Sequence, residues 1–233
     1  NLGGGDDYWE KLDIMLATGV VPDVIWMGDG QLATYVAHDV LIDLDPLFRS
    51  LGVKVDLVPS LREMASMDGK LYFAPRDWGT WALYYNRPAF EESGVAFPDH
   101  FWDWDTYAKA AQRLTRFEGE QPVRQGSKSM RIWWWGSWVQ LIWQAGAELT
   151  DPAMTEALPD IPKVADAFQW AWELTYVYNA TPEIADARIS NGRMAMDWDL
   201  PSKLFELRME TEPENWGLST FPKGRGAMRR RPL

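Results

Sequence analysis

Two glycines near the start of the chain have the spacing of a phosphate-binding turn. The segment GDGQLA at residues 28–33 lies between a short apolar run and a predicted helix. A dinucleotide site also needs an acid about 20 residues further on, to bind the ribose. Asp43 and Asp45 follow the first glycine by only 15 and 17 residues, and Asp29 would place a carboxylate where it repels phosphate. The segment therefore indicates a turn beside some other ligand.

A second pair of chemically useful residues lies near the end of the chain. Asp197 and Asp199 flank Trp198 in a predicted strand, so both carboxylates would share one face of a sheet. Two facing carboxylates are what a glycoside hydrolase requires. The sequence names no partner for this pair on another strand. A carbohydrate-active hydrolase stays open as an alternative, although the P-loop, HExxH, GxSxG and EF-hand patterns are all absent.

Composition narrows the classes of partner. The 233 residues carry a net charge of −11, which disfavours nucleic acid and anionic membranes because both bind basic surfaces. The chain has no cysteine, and its only histidines are His38 and His100. We therefore expect no metal centre and no cofactor. No apolar run reaches the roughly 18 residues that a membrane span requires.

Tryptophan is the unusual component, with 15 residues in the chain. Trp side chains fill cores, but they also line interfaces and ligand clefts because one edge of the ring is polar. Most of the 15 are expected in cores, and a minority remains to contact a ligand. Trp135 and Trp138, three residues apart in a predicted helix, would lie on one helical face.

Strands and helices alternate along the chain. Helical patterns are found at residues 8–18, 31–38, 61–65, 87–94, 102–117, 132–150, 161–178 and 201–212. Strand patterns are found at residues 23–27, 70–75, 80–86, 192–199 and 216–222, and residues 118–129 form a predicted polar loop. This order predicts the α/β class. The helix-rich middle predicts a second lobe.

Five segments together resemble a known family. They are PDVIWMGDGQLATYVAHDVLIDLDPL at 22–47, DGKLYFAPRDWGTWALYYNRPAFEESGV at 68–95, FWDWDTYAKAAQRLT at 101–115, WGSWVQLIWQAGAELTD at 135–151 and NGRMAMDWDLPS at 191–202. Their order and spacing resemble the extracellular solute-binding proteins of ATP-driven importers, specifically the sugar-binding, maltodextrin-binding-like family. The resemblance covers residues 8–224. Members of that family are longer, so the resemblance implies that the chain is truncated at both ends.

The resemblance implies a two-lobe, periplasmic-binding-protein-like fold of type II, here incomplete. Ligand would lie in the cleft between the lobes. The chain would cross to the second lobe near residues 81–85 and return near residues 218–221. The expected N-terminal lobe is then 1–84 with 217–233, and the expected C-terminal lobe is 85–216.

The resemblance also implies a function. The protein would bind a sugar or oligosaccharide, without catalysis, and deliver it to the membrane permease subunits of an importer. It would act in the periplasm or outside the cell, anchored to the membrane. A receptor of the same fold for a polyamine, a peptide or glycerol phosphate is a further alternative.

Sugar recognition suggests which residues form the site. Aromatic rings cover the apolar face of a pyranose, and carboxylates accept hydrogen bonds from its hydroxyls. Trp198 is favoured because the matching family position commonly faces ligand, and Trp198→Ala is expected to weaken binding with little loss of fold. The candidate ligand-binding residues are Trp26, Asp29, Arg76, Asp77, Trp78, Trp81, Trp135, Trp138, Trp198 and Asp199.

Overall fold

The computed structural model describes residues 6–76, 79–130, 135–151, 156–157 and 160–224. Contacts within the chain divide these residues into two units, one up to residue 76 and one from residue 79 onward. The lobes predicted from the sequence place residues 79–84 and 217–224 in the first lobe, whereas the contacts of these residues lie within the second unit. The lobe assignment of these two segments in a two-lobe fold stays a prediction.

The first unit is built from short helices and one hairpin. Its elements are α1 Asp6–Ala17, a 3₁₀ turn Asp29–Gln31, α2 Leu32–Ala37, α3 Leu44–Ser50, α4 Pro59–Met64, β1 Ser66–Met67 and β2 Lys70–Leu71. Asp68 and Gly69 form the turn of this hairpin, and both have positive φ, of 52° and 76°. Such backbone angles match the right-handed twist of a two-residue hairpin, which explains why this dipeptide connects β1 and β2.

The strand predicted at residues 23–27 is wrong. This segment has no neighbouring strand in the described part of the chain, and Val24 and Trp26 are exposed. Its backbone is instead held by one side chain of α1. The Tyr8 hydroxyl donates to the Trp26 carbonyl at 2.6 Å and accepts from the Trp26 N–H at 3.0 Å. The apolar run predicts a buried strand. It pairs with no strand among the described residues, and it lies on the surface.

The second unit is organised around a three-stranded antiparallel sheet. Its elements are β3 Ala82–Asn86, α5 Arg87–Ser93, α6 Trp104–Leu114, β4 Arg116–Glu118, β5 Gln121–Arg124, α7 Trp135–Gln144, α8 Ile161–Tyr176, β6 Met196–Asp199, α9 Ser202–Glu210, a 3₁₀ turn Pro213–Asn215 and β7 Trp216–Ser219. Strand β3 lies in the centre, between β6 and β7. Residues 125–128 run beside β6, since the N–H of Lys128 donates to the carbonyl of Met196 at 3.0 Å.

Side chains on β3 and β6 alternate between two faces of this sheet. Leu83 pairs with Trp198, and both belong to the large core cluster. Tyr84 pairs with Asp197 on the opposite face. Tyr84 belongs to a smaller cluster, which includes Leu207 of α9. The sheet therefore separates an aromatic core from a second face that α9 covers.

Three tryptophans form the centre of the large cluster. The rings of Trp104 and Trp170 are stacked with centroids 4.7 Å apart, and those of Trp170 and Trp198 are 6.0 Å apart. The Trp104 indole N–H donates to the Gln144 side chain at 2.8 Å, and the Trp170 indole N–H donates to the Trp104 carbonyl at 3.3 Å. Helices α6, α7 and α8 are thereby tied to each other and to β6.

Residues 118–129, predicted as a loop, contain part of a hairpin. Strand β4 pairs with β5 through Glu118 and Gln121. Arg124, at the end of β5, is buried and donates from Nε to the Leu114 carbonyl at 2.9 Å. It also pairs closely with Glu92. Polar composition concealed the hairpin because its strands are mostly exposed and carry no apolar alternation.

The core stack predicts opposite results for two neighbouring tryptophans on α8. Trp170 is fully buried in the stack, whereas Trp172 is about half exposed. Trp170→Ala should lower the free energy of unfolding by about 3–5 kcal/mol, the usual cost of deleting a buried aromatic ring. Trp172→Ala should lower it by no more than about 1 kcal/mol. Urea unfolding followed by circular dichroism checks both, and equal losses would contradict the assigned packing.

Candidate functional site

Trp26 lies in a small aromatic cluster of the first unit. Its ring centroid is 6.1 Å from that of Tyr8 and 5.7 Å from that of Trp9, and 56% of Trp26 is exposed. Because the Tyr8 hydroxyl fixes the Trp26 backbone, the cluster holds its position without a strand. An exposed, fixed ring of this kind can cover the apolar face of a sugar.

The glycine turn follows this cluster. Gln31 reaches back across the turn, and its side-chain oxygen accepts from the Gly28 N–H at 3.1 Å. The helix that follows, α2, has only 6 residues, which is short for a dinucleotide crossover. Asp29 begins the 3₁₀ turn, and its side chain lies outside the described residues.

Three further predicted site residues lie at the end of this unit. Arg76 is the last described residue there and is exposed. Asp77 and Trp78 lie outside the described residues. Their roles in ligand binding stay predictions.

Three of the predicted rings of the second unit, Trp81, Trp138 and Trp198, lie in or against the large core cluster. Trp198 is only 4% exposed, with its ring 5.3 Å from Tyr107 and 4.8 Å from Phe221. Trp81 and Trp138 are partly buried against the same cluster. The side chain of Trp135 lies outside the described residues. Because the ring fills the core, Trp198→Ala is expected to destabilise the fold as well, and its contact with ligand stays a prediction.

Asp199 lies on the opposite face, where an ion network of five side chains forms. The network consists of Lys128, Asp197, Asp199, Lys203 and Glu206. Lys128 Nζ is 3.0 Å from Asp197 Oδ1 and 3.2 Å from Asp199 Oδ2. Lys203 Nζ is 3.3 Å from Asp197 Oδ2, 3.6 Å from Asp199 Oδ2 and 2.9 Å from Glu206 Oε2. Each lysine therefore bridges both aspartates.

The exposed fraction of the side chains increases across the network from Asp197 through Lys203 to Lys128. The Asp197 side chain is 3% exposed, the Lys203 side chain 13%, and the Lys128 side chain 46%. A buried carboxylate is strongly disfavoured unless a cation accompanies it, and Lys203 fulfils that role from the first turns of α9. The network thus has a buried end at Asp197 and an open end at Lys128.

The environment shifts the pKa values of these groups. Burial opposes the charge of Lys203, but Asp197 and Glu206 outweigh it and raise the pKa of Lys203 to about 12. Burial likewise opposes the charge of Lys128, and the two aspartates still raise its pKa. Burial raises the pKa of Asp197, although both lysines act in the opposite direction. Both lysines are therefore charged throughout the physiological pH range.

This geometry does not suit hydrolysis by Asp197 and Asp199. A glycosidase needs two carboxyl groups that face each other across a scissile bond. Here Asp197 is buried, and both lysines bridge it to Asp199. The arrangement instead offers a fixed hydrogen-bond donor, Lys128, beside a fixed acceptor, Asp199.

Sequence reasoning identified Asp199 but missed both lysines. Lys203 follows Asp199 by four residues at the start of a predicted helix, so the spacing was a usable signal. Lys128 precedes Asp199 by 71 residues. Only the pairing of residues 125–128 with β6 brings it close, and no local pattern indicates that pairing.

A shallow groove of about 320 Å³ also lies in this unit. It lies between the start of α5 and residues 190–192. The Asn86 amide donates to the Ile189 carbonyl at 2.8 Å, and its oxygen accepts from the Ala89 N–H at 2.8 Å. The Asn86 side chain, which lines the groove, is thus hydrogen-bonded within the protein.

The described residues contain no group of three or more acidic or histidine side chains that could hold a metal ion. The same residues include no helix that is long and apolar enough to cross a membrane.

The ion network predicts a pH-dependent cost for losing Lys203. Lys203→Met should lower the free energy of unfolding by about 2–4 kcal/mol at pH 8, because Asp197 loses its buried partner. A lysine with a raised pKa stabilises the fold fully below its ordinary value of 10.5, and this stabilisation is lost as the pH rises through about 12. The difference between the two proteins in urea unfolding should therefore shrink above pH 10.5.

Two variants test the assignment. Lys163→Met removes a lysine from an exposed pair with Asp160 and should change stability by less than about 1 kcal/mol. The double variant Asp197→Asn, Lys203→Met should recover part of the loss. A penalty for Lys203→Met that is constant with pH would contradict the role given to its charge.

Comparisons with known proteins agree with this architecture. The sequence model of the family "bacterial extracellular solute-binding protein" matches residues 2–228. An ABC substrate-binding protein from Listeria monocytogenes, in complex with cycloalternan, is similar in structure with a TM-score of 0.76 at 20% identity. The similarity covers 96% of this chain and 58% of that protein.

Two other solved structures are similar. UgpB from Mycobacterium tuberculosis, in complex with glycerophosphocholine, has a TM-score of 0.75 at 22% identity, over 96% of this chain and 58% of UgpB. The GacH receptor of Streptomyces glaucescens, solved with acarbose, has a TM-score of 0.73 at 19% identity, over 93% of this chain and 56% of GacH.

The chain spans less than two thirds of each of these three proteins. Its mixture of helices and sheet matches their periplasmic-binding-protein-like fold over that part, so the predicted fold, an incomplete two-lobe α/β architecture, is confirmed. The predicted family is confirmed as well. The chain belongs to the bacterial extracellular solute-binding proteins.

Proposed function

We propose that this chain is part of the substrate-binding component of an ATP-driven importer, and that its ligand is a neutral sugar or oligosaccharide. The observation that carries the proposal is the family match over residues 2–228, together with a fold shared with proteins solved with cycloalternan and acarbose. Ligand would bind in the cleft of the two-lobe fold and would be delivered to membrane permease subunits.

The chemistry of the candidate residues supports a neutral ligand. Trp26 presents a fixed ring, which suits the apolar face of a pyranose. Lys128 and Asp199 present a donor beside an acceptor, which suits hydroxyl groups. The net charge of −11 also disfavours a polyanionic ligand.

The family and the similar proteins are binding proteins, and we propose that this protein has no catalytic activity of its own. We further propose a location in the periplasm or outside the cell, with attachment to the membrane, because delivery to a permease requires access to that face of the membrane.

A receptor for a glycerophosphodiester is the second candidate, since UgpB shares the fold with a TM-score of 0.75. A phosphate group is bound by clustered cations or helix N-termini. In the network described above, two ammonium groups face three carboxylates, so the cluster offers phosphate no net positive charge.

A thermal-shift panel tests the proposal. Maltotriose, cycloalternan, acarbose, glycerophosphocholine, spermidine and glucose 6-phosphate are each added to the purified protein. A neutral saccharide at about 100 times its Kd should raise the unfolding midpoint by roughly 5–10 °C, because it binds only the native state. A shift with glycerophosphocholine or glucose 6-phosphate and none with a saccharide would contradict the proposal.

A turnover assay separates the receptor from the hydrolase alternative. The protein is incubated with maltotriose, and the products are followed by chromatography over hours. Intact sugar in stoichiometric complex is expected, whereas sustained release of shorter sugars would contradict the absence of catalysis.

A further inference from the structure

The open end of the ion network, at Lys128, is distinct from the other polar and apolar surfaces of this unit. In the groove beside α5, the Asn86 side chain is hydrogen-bonded within the protein. Nothing in the described residues indicates what would cover the exposed apolar side chains of α9. Lys128 differs from both. It is charged, half exposed and held by two carboxylates.

Lys203 is the more deeply buried of the two cations that accompany the Asp197 carboxylate. Lys203 Nζ is 3.3 Å from Asp197 and is itself largely buried. Lys128 belongs to the segment 125–128, which runs along the edge of β6 opposite to β3. It contacts the same carboxylate and keeps 46% of its side chain in solvent. Lys128 is therefore the cation of the network that solvent, and a ligand, can reach.

The positions of the Lys128 and Asp199 side chains are fixed nonetheless. Asp199 Oδ1 accepts from the Leu200 N–H at 2.8 Å, while Oδ2 is 3.2 Å from Lys128 Nζ. Within the described part of the chain, the Lys128 ammonium donates to Asp199 Oδ2 at 3.2 Å and forms an ion pair with Asp197 Oδ1 at 3.0 Å, two contacts for its three N–H groups. The third N–H can donate to a ligand, and Asp199 has remaining lone pairs for a hydroxyl.

We propose that Lys128 and Asp199 form a donor–acceptor pair that binds two neighbouring hydroxyl groups of a neutral sugar. Lys128 donates to one hydroxyl oxygen, and Asp199 accepts from the other hydroxyl. Lys203 is a positioning residue, because it holds Asp197 and Asp199 in the arrangement that fixes Lys128. This inference rests on the proposed function and adds a specificity-determining residue that the sequence analysis did not name.

The charge of the network sets the class of ligand. Asp197, Asp199 and Glu206 supply three negative charges, and Lys128 and Lys203 supply two positive charges. An anionic ligand therefore meets a cluster without excess positive charge. Hydroxyl groups bring no charge of their own and can use both members of the pair. The cluster thus selects against phosphorylated sugars.

A matched pair of lysine variants tests the inference. Lys128→Ala and Lys163→Ala each remove a lysine of about the same exposure, 46% and 49%. Lys128 pairs with Asp197 and Asp199, and Lys163 pairs with Asp160. Isothermal titration with maltotriose, cycloalternan and glucose 6-phosphate is carried out on both variants and on the unaltered protein. Lys128→Ala should weaken saccharide binding at least tenfold, while Lys163→Ala leaves it unchanged.

A second measurement does not depend on a substitution. The unaltered protein is treated with an amine-reactive reagent, with and without the saccharide, and modification of each lysine is followed by mass spectrometry. Saturating saccharide should slow modification of Lys128 at least fivefold and should leave the rate at Lys163 unchanged.

The outcomes separate this inference from the proposed function. Saccharide binding that is equal in both variants, with no protection of Lys128, overturns the inference and leaves the receptor function standing. Binding of glucose 6-phosphate that depends on Lys128 overturns the neutral-ligand role. Binding of none of the saccharides by the unaltered protein overturns both.

Discussion

The register of β6 against β3 is the constraint on which the second unit depends. A strand sends successive side chains to opposite faces, so a shift of one residue would exchange every buried group for its neighbour. In the observed register, Trp198 enters the aromatic core and Asp197 and Asp199 meet two lysines. The opposite register would place both carboxylates among aromatic rings, at a cost of several kcal/mol for each ion. The sequence DWD thus determines which of its side chains face the core.

The two faces contribute in different ways. The core face stabilises the fold by removing large rings from water and stacking them, as Trp104 and Trp170 show. The ion network contributes less net stability, because desolvation of Asp197 opposes its attraction to the lysines. Its value is geometric. Burial at one end holds the charges at the other end in fixed positions, and fixed polar groups bind a ligand without first losing side-chain freedom.

Much of the fold could be predicted from local patterns. Helices α1, α5, α6 and α8 follow from apolar periodicity and from capping residues, such as Asn86 before α5 and Asp103 before α6. The segment at 23–27 could not be placed, because its apolar residues resemble a buried strand and only the lack of a neighbouring strand among the described residues shows otherwise. The family could be identified because its identification depends on the order of five segments rather than on any one of them.

The candidate site was less accessible to sequence reasoning. Asp199 could be named from its strand, but Trp198 could not be assigned to the core without knowledge of Trp170, which lies on another element. Lys128 could not be named at all, since a contact across 71 residues leaves no local trace. A binding site assembled from distant segments is in general the part of a fold that a single sequence reveals last.

A crystal structure of the protein with a bound saccharide would show whether Lys128 and Asp199 bind its hydroxyl groups. We expect hydroxyl oxygens within hydrogen-bond distance of both Lys128 Nζ and the Asp199 carboxylate, with the Trp198 ring still packed on Trp170. A saccharide stacked on a displaced Trp198 ring, or bound with no contact to Lys128 and Asp199, would contradict it.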